Sequence, residues 1–207
     1  MPKHPLEKLL QEHAPNGVEW VAIKQICRRN AGTNITATQM KNLHVESGAV
    51  RIFAGGATRA DVPLESIPKK DIITDESVIV KSRGYIGFEY YNRPFSHKNE
   101  FWSYTPKTDR LVVKFLYYYL CSQQPYFQKL AKMSAVKIPQ LKVKNTDDFL
   151  IPLPPLPVQE KIVTILDCFT ELTAELTAEL TARKKQYSYY LNALLDFGRD
   201  PSGGGGG

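Results

Sequence analysis

Phe149-Leu-Ile-Pro-Leu-Pro-Pro-Leu-Pro-Val-Gln-Glu-Lys-Ile-Val-Thr-Ile-Leu-Asp167 divides the chain into two unlike parts. Within it, Ile151 to Pro157 contains four prolines, which lack backbone donors and impose extended geometry, so the run reads as a stiff junction and neither an α-helix nor a central strand. Pro157 suits the first position of a helix, and no further Pro or Gly occurs from Val158 to Phe197. One helix of roughly 40 residues and ~60 Å is therefore expected, protruding from the preceding domain. Its apolar residues, Val158, Ile162, Ile165, Phe169, Leu172, Leu176, Leu180, Tyr187, Leu191 and Leu194, recur mainly every three or four positions and define one seam that needs a partner helix. Packing of that stripe on the chain's own domain is the alternative, and the helix length argues against it. Thr170-Glu-Leu followed twice by Thr-Ala-Glu-Leu, ending at Leu180, is an internal repeat of period four. Each unit adds about 6 Å of rise, and successive fours oppose the left-handed supercoil of a heptad, so the seam runs nearly straight there.

Residues 1–156 read as one domain, 157–198 as the helix and 199–207 as a low-complexity tail, natural or artificial, that carries no functional reading. Pro5 to His13 forms a short helix stopped by Pro15-Asn16-Gly17. Strand-like runs lie at Val18–Ile23, Val50–Phe53, Ser77–Lys81, Tyr85–Tyr91 and Phe101–Thr105, and are expected to form a twisted, mostly antiparallel sheet. Leu111 to Cys121 has helical spacing, and Pro125 separates it from a second helix ending near Met133. The fold class is α+β: a β-rich domain followed by one long helix that pairs as an antiparallel coiled coil.

Charge is unevenly distributed. Residues 1–156 carry 22 Lys and Arg against 14 Asp and Glu, a net +8, and residues 157–207 carry 5 against 7, a net −2. A basic domain favours an acidic partner such as nucleic acid. Cys27, Cys121 and Cys168 are dispersed and form no CxxC pair, so neither disulfide framework nor zinc site is indicated, and a reducing cytoplasm fits. The chain offers no signal-peptide stretch at Met1–Lys8 and no membrane-length apolar run.

Catalytic motifs are missing: there is no G-x-S-x-G, P-loop, H-E-x-x-H or dinucleotide glycine fingerprint, and no methyltransferase motif, since Pro154-Pro155 is followed by Leu156 instead of an aromatic. Asp75, Glu76 and Lys81 have the wrong spacing for a nuclease, and the four histidines lack ligand partners. Catalytic residues, metal and cofactors are all expected to be absent.

Basic loops remain. Gly55-Gly56-Ala57-Thr58-Arg59 permits close backbone approach and offers a hydroxyl and a guanidinium, with Arg51 nearby in sequence. Lys81-Ser82-Arg83-Gly84-Tyr85 sets two cations and an aromatic on a turn, His97-Lys98-Asn99 adds a polar loop, and Lys137, Lys142 and Lys144 surround Gln140. Arg51, Thr58, Arg59, Lys81, Arg83, Tyr85, Lys98, Asn99, Lys137, Gln140, Lys142 and Lys144 are the candidate DNA contacts, on the strength of their clustering.

The segment 149–167 resembles the hallmark segment of specificity subunits of bacterial type I restriction-modification systems. Val18-Glu19-Trp20 with Ile23, Gly55-Gly56, Ser82-Arg83-Gly84-Tyr85-Ile86-Gly87, Phe115-Leu-Tyr-Tyr-Tyr-Leu120 and the Thr-Ala-Glu-Leu repeat extend the resemblance over nearly the whole chain. It implies a non-catalytic, cytoplasmic DNA-binding subunit whose domain reads half of a split sequence and whose helix docks methyltransferase subunits, with the restriction/translocase subunit joining through that complex. The chain departs from the family in having one recognition domain and one helix where two of each are usual, and in Ser134-Ala135 where a glycine-containing turn is common. A half-length unit restores the missing half by forming a homodimer, with Ile162, Ile165, Phe169, Leu172, Leu176, Leu180, Tyr187 and Leu191 on the pairing helix, and two-fold symmetry then requires an interrupted palindrome. The alternative is a coiled-coil scaffold whose basic domain binds protein.

Overall fold

The structure, a computed structural model, describes residues 5–133 and 137–197. Ser134-Ala135 and the Arg199–Gly207 tail lie outside the described residues. The chain forms two compact units, one ending at Val163 and the other beginning at Thr164.

The first unit opens with α1 (Pro5–His13), stopped at the expected breaker, then β1 (Glu19–Ala22), α2 (Ile23–Ile26), β2 (Cys27–Asn30) and α3 (Ala37–Leu43). Thr36 caps α3 reciprocally: its Oγ accepts from the Gln39 amide at 3.2 Å while Gln39 Oε1 accepts from the Thr36 amide at 2.8 Å. Next come β3 (Val50–Phe53), β4 (Arg59–Val62), β5 (Ser77–Lys81), β6 (Gly87–Tyr91), β7 (Phe95–His97) and β8 (Trp102–Pro106). The helices α4 (Val113–Ser122), α5 (Gln124–Met133) and α6 (Val143–Asp147), the strand β9 (Leu150–Leu153) and the long α7 (Leu156–Leu195) complete the order.

The expected single sheet is divided into three: β2-β8-β5-β6, all antiparallel; β4-β3-β7, in which β3 and β7 are parallel; and the pair β1-β9. Period-two alternation explains the layering. Val78 and Val80 of β5, with Trp102 and Tyr104 of β8, face Val113, Leu116, Leu120 and Phe127 of α4 and α5. Ile79, on the opposite side, meets Phe53, Phe95 and Phe101 between the two larger sheets. The outer face of the three-stranded sheet, Val50, Ile52, Ala60 and Val62, is covered by Met40 of α3 with Ile35 and Ile67.

The proline-rich junction is itself a strand in part. Leu150–Leu153 pairs antiparallel with β1, placing Pro152 opposite Trp20. A proline is tolerated because the pair has two strands only, so its missing donor can point to the unpaired edge. The helix then starts at Leu156, and its first turns belong to the domain. Val158 is buried, and Ile162, expected on the pairing seam, packs with Val163 against the domain core. The seam left exposed begins further along, at Phe169, Leu172, Leu176 and Leu180, and continues through Tyr187 and Leu191. In the repeat, the hydroxyls of Thr173, Thr177 and Thr181 donate to the carbonyls of Phe169, Thr173 and Thr177 at 2.7–2.8 Å, so these polar groups are satisfied within the helix.

Candidate nucleic-acid interface

In the four-stranded sheet the C-terminal end of β5 lies beside the N-terminal ends of β6 and β8, and in the three-stranded sheet the C-terminal ends of β3 and β7 lie together. The loops leaving these ends are joined by backbone hydrogen bonds. The Lys98 amide donates to Phe53 O at 2.9 Å, tying the 97–100 loop to the β3–β4 turn. The Ser82 hydroxyl donates to Glu100 O, and the Leu141 amide to Ser82 O at 2.8 Å. The Gly84 amide donates to Pro139 O at 2.8 Å, and Arg83 and Gln140 form an antiparallel bridge. Four segments dispersed over nearly 90 residues of sequence thus form one continuous edge.

Three backbone features shape that edge. Gly56 (φ +67°) turns β3 into β4, and Gly84 (φ +76°) turns the loop after β5, both in the left-handed region that favours glycine. At Gly32 a Cβ would stand 2.3 Å from His97 O, so only glycine lets the Gly32-Thr33 strip lie against β7. Thr33 donates its amide to His97 O at 2.8 Å, and the Asn99 amide faces the carbonyls of Gly32 and Thr33, to which it can donate at 2.9 and 3.3 Å. Beneath, the His97 ring is buried with Ser103 Oγ at 3.3 Å from Nε2, and burial pushes its pKa down to about 4, so it is neutral at pH 7.

The candidate residues fall into distinct settings on this frame. Thr58, Arg59, Arg83, Asn99, Lys137 and Gln140 are exposed along the edge, and Tyr85 stands out with 77% of its surface accessible. Tyr85 overlooks an open groove whose lining includes Gln124, Gln128, Lys129, Lys132, Met133 and Pro139. Lys81 and Lys98 are half-buried and paired, to Glu89 at 2.5 Å and Glu100 at 3.1 Å. Arg51 lies two residues before the end of β3 and makes a two-pronged pair with Asp61 at 2.6 and 2.8 Å, which holds the Asp61 carboxyl below its ordinary pKa. Its guanidinium also sits 5.7 Å from the Tyr91 ring centre, so Arg51 serves the β3–β4 pair. Lys142, just before α6, and Lys144, within it, are exposed and line a separate groove with Tyr126, Asn145 and Phe149. Thr146 seats α6, accepting from the Trp102 indole at 3.0 Å and lying 2.7 Å from the Tyr104 hydroxyl.

An edge of cations, amides, hydroxyls and one projecting aromatic, on loops fixed by backbone bonds, suits phosphate and base-edge contacts better than chemistry on a small molecule. A family model described as the type I restriction modification DNA specificity domain matches residues 15–183. The chain belongs to this family. Among specificity subunits, it is 30% identical over 185 residues to that of the type I restriction enzyme MpnII of Mycoplasma pneumoniae, covering 86% of this chain and 53% of the relative. The specificity subunit of the type I restriction enzyme EcoprrI of Escherichia coli is 44% identical over 103 residues, 44% of this chain and 25% of the relative. The crystal structure of a type I restriction-modification S subunit from M. genitalium shares the fold, with a TM-score of 0.61 at 21% identity over 87% of this chain and 48% of that one. The chain spans about half the length of several curated relatives it matches, with 46%, 53% and 49% of three of them covered. No helix among the described residues is long and apolar enough to cross a membrane.

Proposed function

We propose that the chain is a non-catalytic specificity subunit that grips duplex DNA with the loop edge and reads one half-site. Two copies pair antiparallel through the exposed stripe of α7 from Phe169 to Leu191, so that the pair recognises an interrupted palindrome and docks methyltransferase subunits, which supply the chemistry. The restriction/translocase subunit joins through that complex, in the bacterial cytoplasm. The convergence of loops 54–59, 81–85, 97–100 and 137–141 on one edge carries the reading of DNA, because residues so far apart in sequence meet there with Arg59, Arg83, Tyr85 and Gln140 exposed. In this reading Arg59, Lys137 and the more peripheral Lys142 and Lys144 position the duplex through phosphates, while Arg83, Asn99 and Gln140 address base edges. The exposed leucines of α7 support self-association.

Duplex binding measured across salt concentrations tests the proposal. If each of the two paired readers neutralises about five phosphates, log Kobs for the pair should fall against log salt with a slope near −9. Arg83→Ala should weaken specific binding by about 1–3 kcal/mol and relax selectivity at one base position. Affinity that stays level as salt rises would contradict the DNA reading and favour the protein-binding scaffold.

A further inference from the structure

Two glutamines of α5 clamp the turn that carries Arg83 and Tyr85. Gln128 Oε1 accepts from the Ile86 amide at 2.9 Å, and its Nε2 donates to Gly84 O at 3.1 Å. Gln124 Nε2 donates to Ile86 O at 2.9 Å and approaches Gln128 Oε1 at 3.5 Å. The Gly84 amide is held from the other side by Pro139 O, and Ser82 by the Leu141 amide. Both backbone groups of Gly84 and of Ile86 that point into this region are therefore engaged, and the exposed side chains of Arg83 and Tyr85 project from a turn pinned on both flanks. The clamp's register follows from helix geometry, since positions four apart lie on one face of α5. Phe127 and Ala131, fully buried, fix that helix against the core.

Both glutamines line the groove beside Tyr85, but their side-chain amides are engaged by the turn. From this we infer that Gln128, assisted by Gln124, is a specificity-positioning residue, which sets which bases Arg83 and Tyr85 favour by holding Gly84 in its left-handed conformation. The inference rests on the DNA-reading function proposed above. A turn ordered before binding loses less conformational freedom on docking, and it presents the guanidinium at one depth and angle instead of several. Bidentate recognition of a base edge requires such a fixed angle, whereas attraction to phosphates tolerates a range. The clamp therefore acts on selectivity more than on affinity for DNA as a polyanion.

The test uses the full chain, a pool of randomised-sequence duplexes, and selection followed by sequencing. In Gln128→Met the side-chain length is kept and both hydrogen bonds are lost; Gln124→Met removes the bond to Ile86 O. Preference at the base positions read by the turn should fall about tenfold in Gln128→Met and in the same direction in Gln124→Met. The salt slope should remain that of the parent. Preference is a ratio between sequences bound by the same folded molecules, so partial unfolding of a variant lowers total binding and leaves the ratio unmoved; a merely structural role predicts an unchanged ratio with a lower Tm. A selective parent with an equally selective Gln128→Met variant would overturn the positioning role alone. A parent that selects no sequence and shows no salt dependence would overturn the DNA reading itself, and the positioning role with it.

Discussion

The double variant Leu172→Asp/Leu176→Asp is expected to stay monomeric at concentrations where the parent chain pairs. In the single chain these leucines are 48% and 57% exposed, on a stretch of α7 whose apolar residues from Phe169 to Leu191 all remain accessible. Covering the exposed half of a leucine contributes about 1 kcal/mol, and two-fold symmetry brings each substitution into the interface twice. Four lost leucine contacts amount to about 4 kcal/mol, on the order of a thousandfold in the dissociation constant, before the cost of burying carboxylates is added. Sedimentation equilibrium reads the effect, and circular dichroism checks that the helix persists, since Asp is a poorer helix former than Leu by well under ~1 kcal/mol per residue. A variant that associates like the parent would exclude this stripe as the pairing surface.

Gln159→Met is expected to destabilise the domain by about 3 kcal/mol. Gln159 is fully buried, its Oε1 accepts from the Val112 amide at 2.9 Å, and its Nε2 donates to Arg110 O at 2.8 Å and Pro154 O at 2.7 Å. One side chain thus closes the entry to α4, the loop before it and the first turn of α7. Methionine fills nearly the same space, so little cavity forms, but one buried and two partly buried bonds to backbone groups are lost, at about 1 kcal/mol each. A urea titration should show a lower midpoint with an unchanged m-value. A loss below about 0.5 kcal/mol would mean that water or a backbone shift replaces all three bonds.

What was legible in the sequence was whatever rests on local pattern. Pro5–His13 closes at its breaker, Val50–Phe53 and Ser77–Lys81 are strands at the expected bounds, and the uninterrupted run after Pro157 is one 40-residue helix. What escaped depends on partners distant in the chain. Cys27–Asn30, Arg59–Val62 and Phe95–His97 are short strands with polar or charged members, and only pairing with β8 and β3 makes them strands. Leu150–Leu153 is hidden by its proline and stabilised by β1, about 130 residues away in sequence. At the candidate interface, each loop announced itself through Gly, Lys and Arg, yet their union along one edge follows from the parallel β3–β7 register and the Ser82–Leu141 and Gly84–Pro139 bonds. The Gly32-Thr33 strip and the Gln124–Gln128 clamp carry no signal of that kind, because a glutamine on a helix looks the same whether its amide meets water or a turn. Ile162 shows the converse: helical spacing puts it on the seam, but the first turns of α7 are consumed by the domain core.

Mapping the bases methylated when the chain is purified with a methyltransferase subunit of its own system tests the account most directly, carried out with the parent and with a variant holding one more Thr-Ala-Glu-Leu unit after Leu180. The account predicts a palindromic target interrupted by a gap of unspecified bases, and a wider gap in the variant, because four residues lengthen the shared helical spacer by about 6 Å, close to two base-pair steps of about 3.4 Å. A continuous or asymmetric target, or a gap that ignores the added unit, would contradict it.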